Sequence, residues 1–198
     1  MRICALCVFC MIPHVTQAWS QARPTSGDVS SAEHARGEIF GGFSLVGGGL
    51  LNTGYGFNGG LDVRISRRVF VAVDVNEFHD QSLSPVNPTS ETVYLFGPRY
   101  LVPIHPNSRT SIFGEFLLGG DTFHNGGQAY TYAYNSATGF AFAGDGGLDY
   151  ALSRHLSTRF EGGYLRSTLH YSTYGGPVSP ATTANNRGRF AANLVYRF

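Results

Sequence analysis

The chain has 198 residues and a formal net charge of +1, which gives no sign of a polyanionic partner such as a nucleic acid. Charged residues make up only 14% of it, whereas about a quarter of an average soluble domain is charged. Lysine is absent, while 15 Phe, 11 Tyr and 26 Gly are present. This composition argues against an ordinary soluble domain and favours strands that face lipid on one side.

The first 22 residues have the pattern of a secretory signal peptide. Arg2 precedes an apolar run, Ile3–Ile12, and Ser20-Gln21-Ala22 offers small residues for cleavage, with a cut after Ala18 as the alternative. The apolar run is much shorter than the roughly 20 residues that a membrane-spanning helix needs. We therefore expect residues 1–22 to direct export and to be removed.

Two features follow from this assignment. All three cysteines, Cys4, Cys7 and Cys10, lie in the apolar run, so their spacing predicts no metal or redox site. We expect the mature chain to have no disulfide, metal or cofactor. Residues 23–36 are polar and show neither strand nor helix periodicity, which predicts a flexible periplasmic N-terminal tail.

From residue 37 to residue 198, segments of about ten residues alternate apolar with polar or small side chains. In Val69–Asn76 every odd position is valine, whereas a helix would scatter these valines around its circumference. The alternation predicts eight strands. The first begins at Gly37, and the others are Phe57–Ser66, Val69–Asn76, Thr92–Val102, Thr110–Phe123, Gly139–Leu152, Leu156–Tyr171 and Gly188–Phe198.

Short and long connections alternate along the chain. The short ones are Ser66-Arg67-Arg68, Ser153-Arg154-His155 and the slightly longer Pro103–Arg109. The long ones are Val46–Gly56, Glu77–Glu91, His124–Thr138 and Ser172–Arg187, which are rich in Gly, Asn, Ser, Thr and Pro. An up-and-down outer-membrane barrel requires this alternation. We predict an all-β fold, an eight-stranded antiparallel up-and-down transmembrane β-barrel, with both termini in the periplasm.

Lipid offers no hydrogen-bond partner, so the sheet must close on itself. The bore of eight strands is only wide enough to be filled by side chains. The alternation turns charged side chains of both signs into this bore, which predicts paired networks that close the lumen. These residues are Glu38, Asp62, Asp74, Glu115, Asp145, Asp149 and Glu161, with Arg64, Arg99, Arg159, Arg189 and Arg197.

Several stretches resemble the OmpA-like small barrels of outer membranes. In chain order they are Glu38–Ser44, Phe96–Tyr100, Gly146–Tyr150 with Leu156–Arg159, and Leu194–Phe198. The resemblance covers residues 37–198 and implies insertion by the barrel-assembly machinery. In this family a final strand with a terminal aromatic looks like the signal that the machinery recognises, and the lipid-facing residues Phe190, Leu194, Tyr196 and Phe198 match it. Members have diverse roles, so the fold does not fix the function.

One pair of residues raises an enzymatic alternative. In Leu169-His170-Tyr171-Ser172 the alternation turns both His170 and Ser172 to the lipid side, which is similar to the His-x-Ser pair of the lipid A deacylases. Such a pair needs a carboxylate to orient the histidine. No Asp or Glu follows Glu161 in the sequence, so we predict no catalytic residues and a protein that is not an enzyme.

The leading hypothesis is a structural or surface-interaction protein anchored in outer-membrane lipid and lipopolysaccharide, with a closed lumen. Loops 124–138 and 172–187 are the candidates for contact with an extracellular ligand. The first carries Tyr130, Tyr132 and Tyr134, and tyrosine supplies rigid amphipathic surface. The alternatives are a lipid A-modifying hydrolase that uses His170 and Ser172, and a narrow conduit for small apolar solutes.

Overall fold

Eight antiparallel strands pair in chain order and close into a barrel, which confirms the predicted fold class. The computed structural model describes residues 36–48, 53–80, 89–105, 108–125, 136–171 and 182–198. The strands are β1 Gly37–Gly47, β2 Thr53–Arg64, β3 Val69–Asp80, β4 Thr89–Pro103, β5 Thr110–Asn125, β6 Ser136–Ala151, β7 Leu156–Tyr171 and β8 Thr182–Arg197. The predicted signal peptide, and the predicted tail up to residue 35, lie outside the described residues and stay predictions.

The barrel closes by pairing of the first and last strands. The β1–β8 ladder runs from Glu38 opposite Arg197 to Gly47 opposite Gly188. Beyond it, the Phe198 N–H donates to the Gly37 carbonyl over 3.0 Å, and the Phe198 carbonyl accepts from the Gly37 N–H over 3.1 Å. The closing seam is therefore paired to the last residue, as a sheet in lipid requires. No helix among the described residues is long and apolar enough to cross a membrane.

One end of the barrel, here called the lower end, carries the tight turns. The Ile65 and Ser66 N–H groups donate to the Val69 carbonyl over 2.9 and 3.1 Å. The Leu152 and Ser153 N–H groups donate to the Leu156 carbonyl, both over 2.9 Å. The opposite end, where the long connections lie, is called the upper end.

At the upper end several strands extend beyond their predicted bounds. The largest difference is in β8, which begins at Thr182 and not at Gly188. Its outward residues Ala184 and Asn186 are small or polar, so the apolar alternation fades although the strand continues. The structure therefore has shorter upper connections than the predicted ones at 46–56, 77–91, 124–138 and 172–187. The strand bounds that differ are the end of β1 at Gly47, the start of β2 at Thr53, the end of β3 at Asp80, the start of β4 at Thr89, the end of β5 at Asn125 and the start of β6 at Ser136.

The outer wall is apolar over most of its height. In β3 the outward valines Val71, Val73 and Val75 are exposed, whereas the inward Phe70 and Ala72 are buried. The same division holds around the barrel, with aromatic residues such as Phe57, Phe96 and Phe160 exposed on the outside. This surface matches the apolar band that faces lipid in membrane barrels.

Candidate functional site

The inward faces of all eight strands contribute charged side chains to one region of the bore. The structure places in it all seven predicted acids and four of the five predicted arginines, each at most 8% exposed. Arg64 lies apart, partly buried at the lower end of β2, with its guanidinium 5.0 Å from the centroid of the Phe70 ring.

Arg159 on β7 lies at the centre of this region and is fully buried. Its Nε donates to Asp149 on the neighbouring strand over 2.7 Å. Its two terminal nitrogens reach to the other side of the seam, where Nη1 donates to Asp62 over 2.8 Å and Nη2 donates to Glu38 over 2.7 Å. One guanidinium therefore joins β7, β6, β2 and β1 by charge-assisted hydrogen bonds, which are the strong ones.

Arg99 on β4 extends the network to the other half of the barrel. It donates to Asp62, which it shares with Arg159, and to Glu115 on β5 over 2.5 Å. The guanidinium carbons of both arginines lie 4.9 to 5.5 Å from the ring centroids of Phe40 and Phe113. The two cations are thus held beside each other by aromatic faces and by carboxylates, which offset their mutual repulsion.

Two glycines make room for these aromatic rings inside the bore. A Cβ at Gly60 would lie 2.5 Å from the Phe40 ring, and a Cβ at Gly147 would lie 2.7 Å from the Phe113 ring. The same Cβ atoms would lie even closer to the neighbouring strand, against the Val73 carbonyl oxygen and the Phe160 carbonyl oxygen respectively, so both the strand and the ring would have to move. The glycines of this sequence therefore serve the packing of the interior as well as the turns.

Arg189 and Arg197 on β8 complete the network. Arg189 donates to Asp145 over 2.6 Å and to Asp74 over 2.8 Å, and lies 3.4 and 3.8 Å from Glu115 and Glu161. Arg197 donates to Glu38 over 2.9 Å and lies 3.4 Å from Asp149. Because carboxylates are shared between arginines, the ion pairs form one connected set, here called the main network: Arg99, Arg159, Arg189 and Arg197 with Glu38, Asp62, Asp74, Glu115, Asp145, Asp149 and Glu161.

A second ion cluster near the upper end was missed by the sequence reasoning. Arg187 on β8 reaches across the bore to Glu91 on β4, and lies 3.3 Å from Asp121 on β5. All three side chains are at most 1% exposed. We call them the upper triad. Glu91 and Arg187 are the last residues of two predicted loops. Arg187 precedes Arg189 by two residues, so both share the inward face of one strand, and this spacing indicates that β8 continues above Gly188.

On the inward faces of β4 and β5 an apolar layer lies between the two ion clusters. Val93 and Leu95 lie between Glu91 and Arg99 on β4, and Leu117 lies between Glu115 and Asp121 on β5. They pack in one cluster with Val46, Ala72, Phe78, Ala141, Ala143 and Leu165, all at most 2% exposed. Going up β4 and β5, the inward side chains are thus charged, then apolar, then charged again, whereas on β8 the inward residues Arg189 and Arg187 follow each other directly.

The arginines inside the bore are held by carboxylates at short distances. Each arginine of the main network and of the upper triad has at least one carboxylate within 3.0 Å. Among the described residues no group of three or more His, Cys, Asp or Glu side chains could hold a metal ion. Every one of these arginines is therefore paired, while carboxylates outnumber arginines, seven to four in the main network and two to one in the upper triad.

His170 and the four residues considered for assembly lie on the outer wall. His170 is exposed near the upper end of β7, and Glu161 on the same strand is buried inside the bore. Ser172 lies outside the described residues. Phe190, Leu194, Tyr196 and Phe198 are 48 to 56% exposed and share the outward face of the last strand and its end.

Comparison with known proteins decides the family. The model of the family described as outer membrane protein beta-barrel domain matches residues 3–198. The chain belongs to this family. This outer-membrane β-barrel therefore crosses the membrane with strands, and its resemblance to small outer-membrane barrels is confirmed. No curated protein sequence matches it.

Solved structures of small outer-membrane barrels share the fold. Neisserial surface protein A has a TM-score of 0.54 at 14% identity, over 82% of this chain and 96% of that one. OprG of Pseudomonas aeruginosa has a TM-score of 0.55 at 15% identity, over 83% and 96%. Ail of Yersinia pestis, solved in complex with the heparin analogue sucrose octasulfate, has a TM-score of 0.52 at 16% identity, over 82% and 97%. At such identities the likeness extends to the fold alone.

Proposed function

We propose that this outer-membrane β-barrel is a closed membrane anchor with a structural or surface-interaction role. The observation that carries the proposal is the main network, whose ion pairs join side chains from all eight strands between the lower end and the middle of the bore. A pore needs a continuous aqueous path, and a selective pore lines it with charges that face the passing ion. Here the charges face one another.

The apolar layer and the upper triad argue against the alternative of a conduit for small apolar solutes. Leu95 and Leu117 are at most 2% exposed, so a solute would have to displace close-packed side chains. It would then have to pass two sets of buried ion pairs, where separating charges in a low-dielectric bore is costly. A barrel whose bore is blocked by side chains agrees with both the buried leucines and the buried ion pairs.

The proposed orientation puts the lower end in the periplasm. Periplasmic turns of such barrels are short and their extracellular loops are long, and the tight turns 65–68 and 152–155 lie at the lower end. Both ends of the barrel sequence, Gly37 and Phe198, meet at that end and so belong to the periplasmic side. The upper connections are then extracellular, and loops 124–138 and 172–187 are the candidate contacts for an extracellular ligand.

This role implies two kinds of partner. Lipid and lipopolysaccharide would surround the apolar wall, and the barrel-assembly machinery would insert the chain through its last strand. Ail shows that a barrel of this fold can bind a sulfated sugar, which supports a ligand-binding surface on the loops without naming a ligand for this chain. Nothing in the net charge of +1 favours a nucleic acid.

We also propose that the protein is not an enzyme. The hydrolase alternative needs a carboxylate beside His170 on the outer wall, because a histidine activates a serine only when it is held in the right tautomer. The last acid of the sequence is Glu161, and its side chain lies inside the bore beside Arg189. The wall of β7 separates Glu161 from His170, so Glu161 is not placed to orient that histidine.

The closed lumen can be tested by conductance. Protein refolded in detergent and reconstituted into planar bilayers is expected to give no stable conductance steps, because the bore holds buried apolar side chains and paired charges. Heat-modifiable migration on a gel verifies that the inserted protein is folded, and detergent alone provides the baseline. Reproducible steps from the folded protein would refute the closed anchor.

A further inference from the structure

The outer wall of the described strands carries a single outward arginine, Arg166 on β7. Its side chain is exposed, and no ion pair or hydrogen bond joins it to another described residue. The other charged residue on the outer wall is Glu77 on β3, which lies 3.7 Å from His79 and belongs to the opposite side of the barrel. A lone cation on a lipid-facing wall is costly unless a partner comes from outside the protein.

Arg166 lies at a height where such a partner is available. It is ten residues above Leu156, the first residue of β7. At about 3.3 Å per residue and a strand tilt of roughly 40°, its Cα lies about 25 Å above the lower end of the barrel. That distance equals the height of the apolar band, about 25 Å. With the lower end in the periplasm, the guanidinium reaches the head groups of the outer leaflet.

A second donor stands directly beside Arg166. Asn186 on β8 is its partner in the β7–β8 ladder. The Tyr164 hydroxyl donates to Oδ1 of Asn186 over 2.6 Å, which engages the acceptor end of the amide. The Nδ2 group of Asn186 therefore remains as the donor end beside the guanidinium, and a guanidinium with an adjacent amide N–H favours a phosphate oxygen.

The wall just below Arg166 has two gaps of the width of a side chain. Tyr164 faces outward there, and its ladder partners on either side are Gly144 on β6 and Gly188 on β8. A Cβ added at Gly144 or at Gly188 would meet nothing within 4 Å. Tyr164 thus stands as a ridge between two open grooves. The groove at Gly188 leads up to Asn186, and the groove at Gly144 ends above at Phe142, which lies beside Arg166 in the β6–β7 ladder.

We propose that the β6–β8 wall binds one phosphorylated glycolipid of the outer leaflet. Its phosphate would contact Arg166 and Asn186, and its acyl chains would lie in the grooves at Gly144 and Gly188 on the two sides of Tyr164. The juxtaposition of an unpartnered cation, an oriented amide and two open grooves carries this assignment. The proposed lipid site rests on the proposed orientation of the barrel, and it locates the contact with the outer leaflet on the β6–β8 wall.

The test measures lipid retained by the folded full chain in detergent micelles, by native mass spectrometry with lipid A as the probe. We expect wild type to bind phosphorylated lipid A about ten-fold more tightly than the Arg166→Gln variant does, the size of one charge-assisted hydrogen bond. Lipid A stripped of its phosphates should bind both proteins equally weakly. Gly144→Leu with Gly188→Leu should weaken binding by filling the grooves while the charge stays.

Arg67→Gln is the matched control, because Arg67 is an exposed arginine in a lower turn. It should bind lipid A like wild type. Equal binding by wild type and Arg166→Gln, an equal loss in Arg67→Gln, or displacement of the lipid by inorganic phosphate would each overturn the proposed site. Conductance of the same preparations reports the closed lumen separately, so a failure of the lipid site can be told from a failure of the proposed anchor.

Discussion

Replacement of Arg159 by methionine is expected to destabilise the barrel by about 3 kcal/mol or more, the usual cost of removing one partner from a buried ion pair. Arg159 is fully buried and donates to Glu38, Asp62 and Asp149. Methionine has a similar volume, so the variant tests the charge more than the packing. Urea unfolding in lipid vesicles, followed by the heat-modifiable gel shift, measures the change in free energy of unfolding.

Two further variants make the result specific. Arg159→Lys keeps a positive charge but not the fork that contacts three carboxylates, so its free energy of unfolding should lie between those of wild type and Arg159→Met. Arg67→Met removes an exposed arginine and should change the stability by less than about 0.5 kcal/mol. If Arg159→Met were as stable as Arg67→Met, the main network would not stabilise the fold.

Replacement of Phe198 by alanine is expected to abolish most barrel assembly in cells while leaving refolding in detergent nearly intact. The backbone bonds between residue 198 and Gly37 do not need the ring, and the ring is 56% exposed, so the folded barrel loses little. A terminal aromatic is, by the family resemblance, what the assembly machinery recognises. The fraction of heat-modifiable protein in outer membranes is the measurement.

Phe160→Ala is the matched control, because Phe160 is an outward phenylalanine of similar exposure, 48%, on another strand. It should assemble in cells. Phe198→Tyr should also assemble, since it keeps an aromatic ring at the end of the chain. Normal assembly of Phe198→Ala in cells would show that Phe198 is only an interfacial anchor, a place where aromatic residues are common.

The charges of the bore also explain why the chain adopts one register. A slip of one residue between strands turns every inward side chain outward. For Arg159 or Arg189 this would place a guanidinium against lipid, which costs roughly 2 to 4 kcal/mol at the bilayer midplane and less towards the interfaces. The main network therefore specifies which face of each strand is inside, and this effect on register is separate from its effect on the free energy of unfolding.

The fold could be predicted from the sequence because alternation is a local property. In β3 the run of valines at odd positions and Asp74 and Asn76 at even positions already assigns the two faces. The alternating connection lengths then give the antiparallel order. Which arginine contacts which acid could not be derived, because Arg159 and Glu38 are 121 residues apart and meet only when the last strand closes on the first.

The upper triad and the upper ends of the strands could not be predicted for a different reason. Apolar alternation reports contact with hydrocarbon, and it ends where the wall reaches the head groups. There β8 presents Ala184 and Asn186 outward while Asn185 and Arg187 continue inward. The inward side chains keep the strand period, but small and polar outward neighbours make the segment look like a loop.

Thiol accessibility inside the bore tests the closed lumen most directly. Single cysteines would replace Ser44, Ser157 and Ser167, each inward and at most 1% exposed, in a chain that starts at residue 23 and has no other cysteine. Ser66→Cys in the exposed lower turn gives the reference rate. With a charged, membrane-impermeant thiol reagent, we expect all three bore cysteines to react at least about a hundred-fold more slowly than Ser66→Cys, because reaction requires local opening. Reaction of the bore cysteines at the rate of Ser66→Cys in folded protein would contradict it.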